Sequence, residues 1–342
     1  MKVETLAFLY NVRHTYPDPK DPRTQLEVDF DDPETTKWQI KHLESCGYKV
    51  IPVEANEKAY LTLYQNKNNI DLVFNVAEGI YGNDREAQIP AMLEMLQIAY
   101  TGSSPLTQAL VLNKAKTKEI LLANKIPTLP FQLFLTNNSK LNLRLSFPLI
   151  VKPVSEGSGA GINNKSVVNS KSELQKQINL MLKTFKHEAA MIEPFLSGPE
   201  YSVAMIGNPP RILPIVSPDH AKLPKNYLPM DSFEVKWIFE EQGNSDYLIC
   251  PATIEKKLYQ KIYQICLKTW KALDILDWCR IDLRLDKKDN PFVLEVNSPP
   301  GIIPPEVSTT SYFPLAARVA GIEYKQMLNM IIESALRRYN LS

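Results

Sequence analysis

Four residues near the C-terminus combine side-chain types and spacing that could do chemistry: Arg280, Asp282, Glu295 and Asn297, within the stretch CRIDLRLDKKDNPFVLEVN. Two extended runs, Cys279–Leu285 and Pro291–Asn297, flank the polar turn Asp286-Lys287-Lys288-Asp289-Asn290, a pattern that predicts a β-hairpin. Residues two apart on a strand share a face, so Arg280 pairs in direction with Asp282, and Glu295 with Asn297. The hairpin can bring these faces together, and three oxygen ligands and a guanidinium would then converge. Two carboxylates and an amide oxygen suit Mg²⁺, a hard cation often held by one or two carboxylates plus substrate phosphates. The arginine suits a phosphate or a developing anion. Taken alone, the same residues also fit a solvated surface hairpin.

Upstream segments bear on that choice. In VKPVSEGSGAGI, Val151 to Ile162, Lys152 ends a predicted strand and a loop with Gly157, Gly159 and Gly161 follows. Successive backbone N–H groups in such a loop can form an anion-binding concavity. No G-K-[ST] closes it, so it is not a Walker A motif, and a flexible hairpin turn is the alternative. In MIEPFLSGPEYSV, Met191 to Val203, a strand ends in Glu193, and the linker Pro194–Phe195–Leu196 leads to Glu200. A nucleotide could use such a linker, with backbone groups on the adenine edge and Glu200 on ribose hydroxyls; taken alone, the segment reads first as a surface acidic pair around a turn. Lys114, in VLNKAKT, and Lys236, in a long loop, each read singly as solvated surface charges.

The elements that must position these residues are those of an α/β chain. Its 342 residues are enough for two or three domains. A hydrophobic content of 44% and a charged content of 23% are ordinary for a globular protein. Lys plus Arg is 39 and Asp plus Glu is 38, a net charge of +1 that gives no reason to expect nucleic acid or an anionic membrane as partner. Cys46, Cys250, Cys266 and Cys279 show no CxxC spacing and read as reduced thiols of a cytoplasmic protein. The N-terminal run fits a first strand better than a secretory signal, and no apolar run is long enough to span a bilayer. Strands over Thr5–Val12, Lys49–Val53 and Asp71–Val76 alternate with helices over Glu34–Cys46 and around Ile89–Leu96, the order of a mostly parallel sheet. One helical segment is expected from Leu106 to Leu121. Strands over Phe147–Lys152 and Ala189–Glu193 then flank a helix near Ser172–Lys183. Asn208 to Asp246 reads as a long Pro-rich loop, a kind that is usually functional or disordered. Amphipathic helices are expected over Glu255–Leu273 and from Tyr324 to Leu336.

The ordered set Lys114, VKPVSEGSGAGI, IEPFLSGPEYSV, EVKW, CPA, CRIDLRL and LEVN with PPG resembles the D-alanine–D-alanine ligases of the ATP-grasp superfamily. FNVAEGIYG, QIPAMLEMLQIAYTGS and FPLAARVAGI add to the likeness, which runs from about residue 70 to the C-terminus. The resemblance implies an α/β architecture, α+β in the C-terminal part: an ATP-grasp fold behind an N-terminal Rossmann-like domain. The implied domains are residues 1–102, 103–197 and 198–342. It implies an ATP-dependent ligase that joins small amino-acid-like substrates through an acyl phosphate, releasing ADP and phosphate. Lys114 and Lys152 would contact ATP phosphates, Ser158 and its neighbours would form a lid loop, and Glu193 and Leu196 would hold adenine, with Glu200 on the ribose. Lys236 would come from a loop closing on the γ-phosphate. Asp282, Glu295 and Asn297 would hold two Mg²⁺ ions, or Mn²⁺, while Arg280 and the backbone of Gly301 would stabilise an oxyanion. A homodimer through the first domain is a further expectation from the family.

Three departures bear on the substrates. The family opens with a Gly-rich loop and a Ser-x-Glu-type segment whose glutamate holds the first substrate's ammonium; this chain has LYNVRHTYPDPKDP. Glu78 stands where the family usually has histidine, and either takes over ammonium binding or pairs with Arg85. Glu306 falls near the serine that binds the second substrate's carboxylate, and a carboxylate there is unfavourable unless something neutralises it. Trp237 replaces the usual tyrosine. These changes lead us to expect a different acceptor from D-alanine, with a true D-alanine–D-alanine ligase and an ATP-binding protein without ligase activity as the competing readings.

Overall fold

The computed structural model describes residues 3–18, 21–136, 140–142, 144–186, 188–239 and 246–341. Strands β1 (Thr5–Tyr10), β2 (Lys49–Glu54) and β3 (Leu72–Asn75) form a parallel sheet of order β2-β1-β3. Helices α1 (Pro33–Ser45), α2 (Ala59–Asn66) and α3 (Gln88–Leu96) alternate with it. Every residue of β3 is buried, as expected for a parallel strand covered on both faces.

The helical segment expected from Leu106 to Leu121 is two helices, α4 (Pro105–Leu112) and α5 (Lys114–Ala123). Asn113 breaks them: its backbone is extended and its side chain accepts from the Lys116 N–H, capping α5. The break puts Lys114 at the first turn of a new helix, where its amide donates to the Val154 carbonyl.

A second, antiparallel sheet of order β4-β7-β5-β6 holds β4 (Gln132–Phe134), β5 (Leu149–Pro153), β6 (Val167–Val168) and β7 (Ala190–Pro194), with α6 (Lys171–Thr184) packed on it. The third sheet has order β13-β12-β8-β9. It is built from β8 (Glu200–Ile206), β9 (Arg211–Ile212), and, after the short pair β10 (Ser217–Pro218) and β11 (Leu248–Ile249), from β12 (Trp278–Leu285) and β13 (Pro291–Asn297). The long amphipathic helix α7 (Lys256–Ala272) buries Ile262, Ile265, Cys266, Thr269 and Trp270. α8 (Tyr312–Val319) and α9 (Tyr324–Arg338) close the chain.

The Pro-rich loop divides into β9, β10 and two short helical turns, the second over Val235–Phe239. Residues 240–245 of that loop lie outside the described residues.

Candidate active site

The expected hairpin forms as β12 and β13. Asp282 lies directly opposite Glu295, and Arg280 opposite Asn297, with a bulge just after Asp282. Asp282 is buried and accepts from Ser202 Oγ at 2.6 Å, from Arg280 Nη2 at 2.9 Å and from Asn297 Nδ2 at 3.2 Å. Ser202 comes from β8, the other neighbour of β12, so the carboxylate is fixed from both sides.

Glu295 is held differently. Its closest cation is Lys114 Nζ at 3.7 Å, beyond hydrogen-bond reach. Burial alone would raise its pKa, but Lys114, Lys236, Lys152 and Arg280 outweigh that and depress it to about 2. It is therefore an ionised carboxylate with charge to offer.

Among the described residues there is no cluster of three or more His, Cys, Asp or Glu side chains shaped for a metal. Two carboxylates and an amide nonetheless fit a hard divalent cation whose remaining ligands are phosphate and water oxygens.

A cleft runs from this hairpin to the second sheet. It is lined by Lys152, Glu193, Leu196, Glu200, Asp231, Lys236, Arg280, Asp282, Glu295 and Tyr312, with Leu129, Ile150, Ile162, Phe195, Met230 and Leu294 as apolar walls. Lysines on two elements meet one carboxylate at its floor: Lys118 Nζ is 2.9 Å and Lys152 Nζ 2.6 Å from Glu193. Burial pulls the Lys118 pKa down; at Glu193 the two lysines outweigh burial and keep the carboxylate ionised.

Glu200 pairs with Arg284 at 3.3 Å, yet burial and the nearby Asp231 push its pKa up to about 7. Asp231 accepts from Tyr312 Oη at 2.5 Å and meets His220 Nε2 at 3.0 Å. Burial would raise its pKa, but His220, Lys236 and Tyr312 bring it down to about 2. Burial and Arg280 would lower the Lys236 pKa, but Asp231, Glu295 and Asp282 together raise it. The Arg280 guanidinium also lies 5.6 Å from the Tyr312 ring centre. A separate surface cavity of about 500 Å³, lined by Gln97, Tyr100 and Tyr339 among others, contains none of these residues.

The cleft thus brings together Lys152, Glu193, Leu196, Glu200, Lys236, Arg280, Asp282 and Glu295, with Lys114 and Asn297 at the hairpin. Glu193 presents its carboxylate to two lysines. Gly301 is exposed, and nothing lies within 4 Å of where a Cβ would sit, so its backbone faces open space.

The substrate candidates lie elsewhere. Glu306 meets His42 Nε2 at 3.1 Å; burial would raise its pKa, but this contact helps hold it below the ordinary carboxylate value. Behind Gly301 stands Ser311, whose Oγ donates to the Gly301 carbonyl at 3.4 Å and accepts from Ile303 N–H at 3.3 Å. Trp237 donates from its indole to the Ser158 carbonyl at 3.3 Å. Glu78 is half-buried beside Glu86, with which it shares a hydrogen bond, and burial and that neighbour raise its pKa. Arg85 instead pairs with Asp29 at 3.3 Å and Glu156 at 3.2 Å.

Sequence reasoning missed Lys118, Ser202, Asp231, Arg284, Tyr312 and Ser311. Ser202 and Arg284 carried a usable signal. Each sits an even number of residues from Glu200 or Asp282 on strands already expected to flank the cleft.

The D-ala D-ala ligase C-terminus family model matches residues 120–333. The D-alanine–D-alanine ligase of Carboxydothermus hydrogenoformans is 33% identical over 84% of this chain and 87% of its own length. The chain belongs to the D-alanine–D-alanine ligase family. The crystal structure of the Bacillus anthracis D-alanine–D-alanine ligase, complexed with ATP, has a TM-score of 0.72 and 25% identity, covering 98% of this chain and 99% of that one. An uncharacterised protein of Sinorhizobium fredii, y4sG, is 33% identical over 95% of this chain and 92% of its own length. As a member of this ligase family the protein has the ATP-grasp fold and is an ATP-dependent enzyme that forms an amide bond. The family works with ATP and divalent metal on small molecules. No helix among the described residues is long and apolar enough to cross a membrane.

Proposed function

We propose that the protein joins two small amino-acid-like substrates in the cytoplasm, as a relative of the D-alanine–D-alanine ligases with a first-substrate pocket of its own. The observation that carries this reading is Asp282 facing Glu295 across the hairpin, beside Arg280, at the mouth of a cleft lined by Lys152 and Lys236. In the proposed division, residues 1–102, 103–197 and 198–342 are the three domains; each of the three large sheets falls within one of them. Nucleotide lies between the second and third sheets. The linker around Leu196 and the apolar walls take the base, and Glu200 takes the ribose. Lys114, Lys152 and Lys236 oppose the phosphate charge, with Glu193 holding Lys152 in place. Asp282, Glu295 and Asn297 hold two Mg²⁺, for which Mn²⁺ could substitute; bound there, the metal would neutralise the triphosphate.

The substrate carboxylate attacks the γ-phosphorus and becomes an acyl phosphate, releasing ADP. The amine of the second substrate then attacks the acyl carbon, and phosphate leaves from the tetrahedral intermediate. Arg280 and the Gly301 N–H offer donors to the oxyanion that forms, while the Ser158 loop excludes water. The protein's work is positioning and charge neutralisation.

The amine of the first substrate goes to Glu78, which replaces the missing N-terminal anchor. With Glu306 held by His42, Ser311, bonded to the Gly301 carbonyl, is left to meet a carboxylate-bearing acceptor, and D-alanine stays among the candidates.

A pairwise screen of D- and L-amino acids with ATP and Mg²⁺, read by phosphate release and mass spectrometry of the product, tests this reading. An ATP- and amino-acid-dependent amide product is expected. If nucleotide bound but no pair stimulated ADP release, the proposal would fail.

A further inference from the structure

A segment, residues 21–32, continues from the stretch that stands in place of the family's Gly-rich opening. It runs across to the loop 155–162 on the second sheet. Gly157 N–H donates to Asp29 Oδ2 at 3.2 Å, and Gly161 N–H to Gln25 Oε1 at 3.0 Å. Val28 is buried in the same apolar cluster as Ala160, Phe185 and Phe233. The turn 230–239 grips the loop from its other side, through Phe233 N–H to the Ile162 carbonyl at 2.9 Å and the Trp237 indole to the Ser158 carbonyl.

Arg13 joins the two grips. Its guanidinium lies 4.4 Å from the Trp237 ring centre and donates to the carbonyls of Glu27, Val28 and Phe30 and to the Asp32 carboxylate.

Gly157 carries independent information. Gly159 and Gly161 have φ of +78° and +70°, in the region that favours glycine, and Ser158 between them is at +46°. Gly157 has no such φ. A Cβ there would instead meet the Asp29 carboxylate at 2.5 to 2.9 Å. A side chain at 157 would therefore have to displace the Asp29 carboxylate.

The same carboxylate bonds Arg85, which donates to the Ser155 carbonyl at 3.0 Å and pairs with Glu156. The Glu156 carbonyl accepts from Lys114 Nζ at 2.5 Å, and Lys114 is the nearest cation to Glu295.

We propose that residues 21–32 form a strap that holds the loop 155–162 closed, and that Asp29 is a positioning residue acting through Gly157 and Arg85 on Lys114. The strap does for closure what a flexible lid alone would leave to bound ligand. The proposal rests on the reading of 155–162 as the lid over the phosphates, and its test keeps the two apart.

Hydrogen exchange is followed in the full chain, free and with Mg²⁺ plus the non-hydrolysable analogue AMP-PNP, for wild type, Asp29→Ala, Asp29→Asn, Gly157→Ala and the Asp29→Ala/Gly157→Ala double variant. In the free protein, Asp29→Ala and Gly157→Ala should each speed exchange in 155–162 by about tenfold, the scale of one hydrogen bond involving a charged group. The double variant should exchange no faster than Asp29→Ala, because the added Cβ no longer has a carboxylate to displace. Unchanged exchange in Asp29→Ala, or additive effects in the double variant, would overturn the strap. If Asp29→Ala also loosens α7, the comparison moves to Asp29→Asn, which keeps the shape and loses the charge on Arg85; there, exchange in 155–162 as slow as wild type overturns the strap. Protection of 155–162 by AMP-PNP in wild type tests the lid reading separately: its absence alongside the expected variant effects sinks that reading and leaves the strap standing.

Discussion

The nucleotide end of the cleft and the strap end are built on opposite plans. At the hairpin, Asp282 and Asn297 are 15 positions apart and one turn sets their pairing. At the strap, Asp29 and Gly157 are 128 positions apart and two lobes must dock before they meet. The hairpin end has cations in excess around Glu295, drawn from α5, β5, β12 and the turn at 235–239. The strap end has carboxyls in excess: Asp29, Glu78, Glu86 and Glu156 gather around Arg85. One end is made to receive a polyanion. The other holds protons of its own, with the pKa of Glu156 pushed up to about 8 and that of Glu86 to about 7, chiefly by burial.

The contrast can be broken at several points. The largest effect is expected from Glu193→Gln, which leaves Lys118 and Lys152 without their shared counter-charge. Breaking a buried pair this way costs roughly 3–5 kcal/mol, measurable as a shift in urea unfolding. Arg280→Met should lower kcat by about 10²–10³ while nucleotide affinity, measured by calorimetry, changes little. An equal loss of affinity would assign Arg280 to the nucleotide rather than to the oxyanion.

The acidic end should show in the pH dependence of stability. The folded pKa values of Glu156 and Glu86 lie above the ordinary 4.5, so the folded protein binds protons that the unfolded chain releases. Their contribution is complete below pH 4.5 and is lost as pH rises through about 7 to 8. Thermal unfolding should therefore fall to lower temperature over that window, and Glu156→Gln should flatten the fall. The smallest effect belongs to Glu306→Gln: a part-exposed pair with His42 is worth about 0–1 kcal/mol, and thermal unfolding should hardly move. A large rise in the KM of the second substrate would return Glu306 to the acceptor pocket.

The same contrast explains what the sequence could reveal. The hairpin, the Lys152 strand and α7 were legible because alternation and helical spacing act over a few residues. Expected strand and helix ends there differ from the structure by one or two positions. The split of α4 from α5 was hidden because a single asparagine cap interrupts an otherwise helical run. α8 left little trace, its eight residues giving only two turns of pattern. Lys118 reads as a surface lysine of a polar helix until Glu193 arrives from β7 beside it. Asp29 and Gln25 sit in a Pro- and Asp-rich stretch whose partners at Gly157 and Gly161 come only by docking across the molecule, and Arg13, bonded within its own segment, reaches Trp237 the same way. Glu78 had two readings, and the structure gives Arg85 to Asp29 and Glu156 instead.

The arrangement of the apolar cores governs how the cleft can open. Leu6, Phe8, Leu72 and Phe74 of the first sheet share one continuous cluster with Trp278, Phe313, Met327 and Ile331 from the C-terminal part, all buried. Leu149, Val151 and Ile192 of the second sheet and Ile178 of α6 belong to a different cluster, which also holds Val28 and Phe233 and has Trp237 packed against it. Parting the first sheet from α9 would wet that shared interior, whereas the second sheet carries a core of its own. α8, α9 and the first sheet are thus bound into one piece by a single interior, and the second sheet is packed around another.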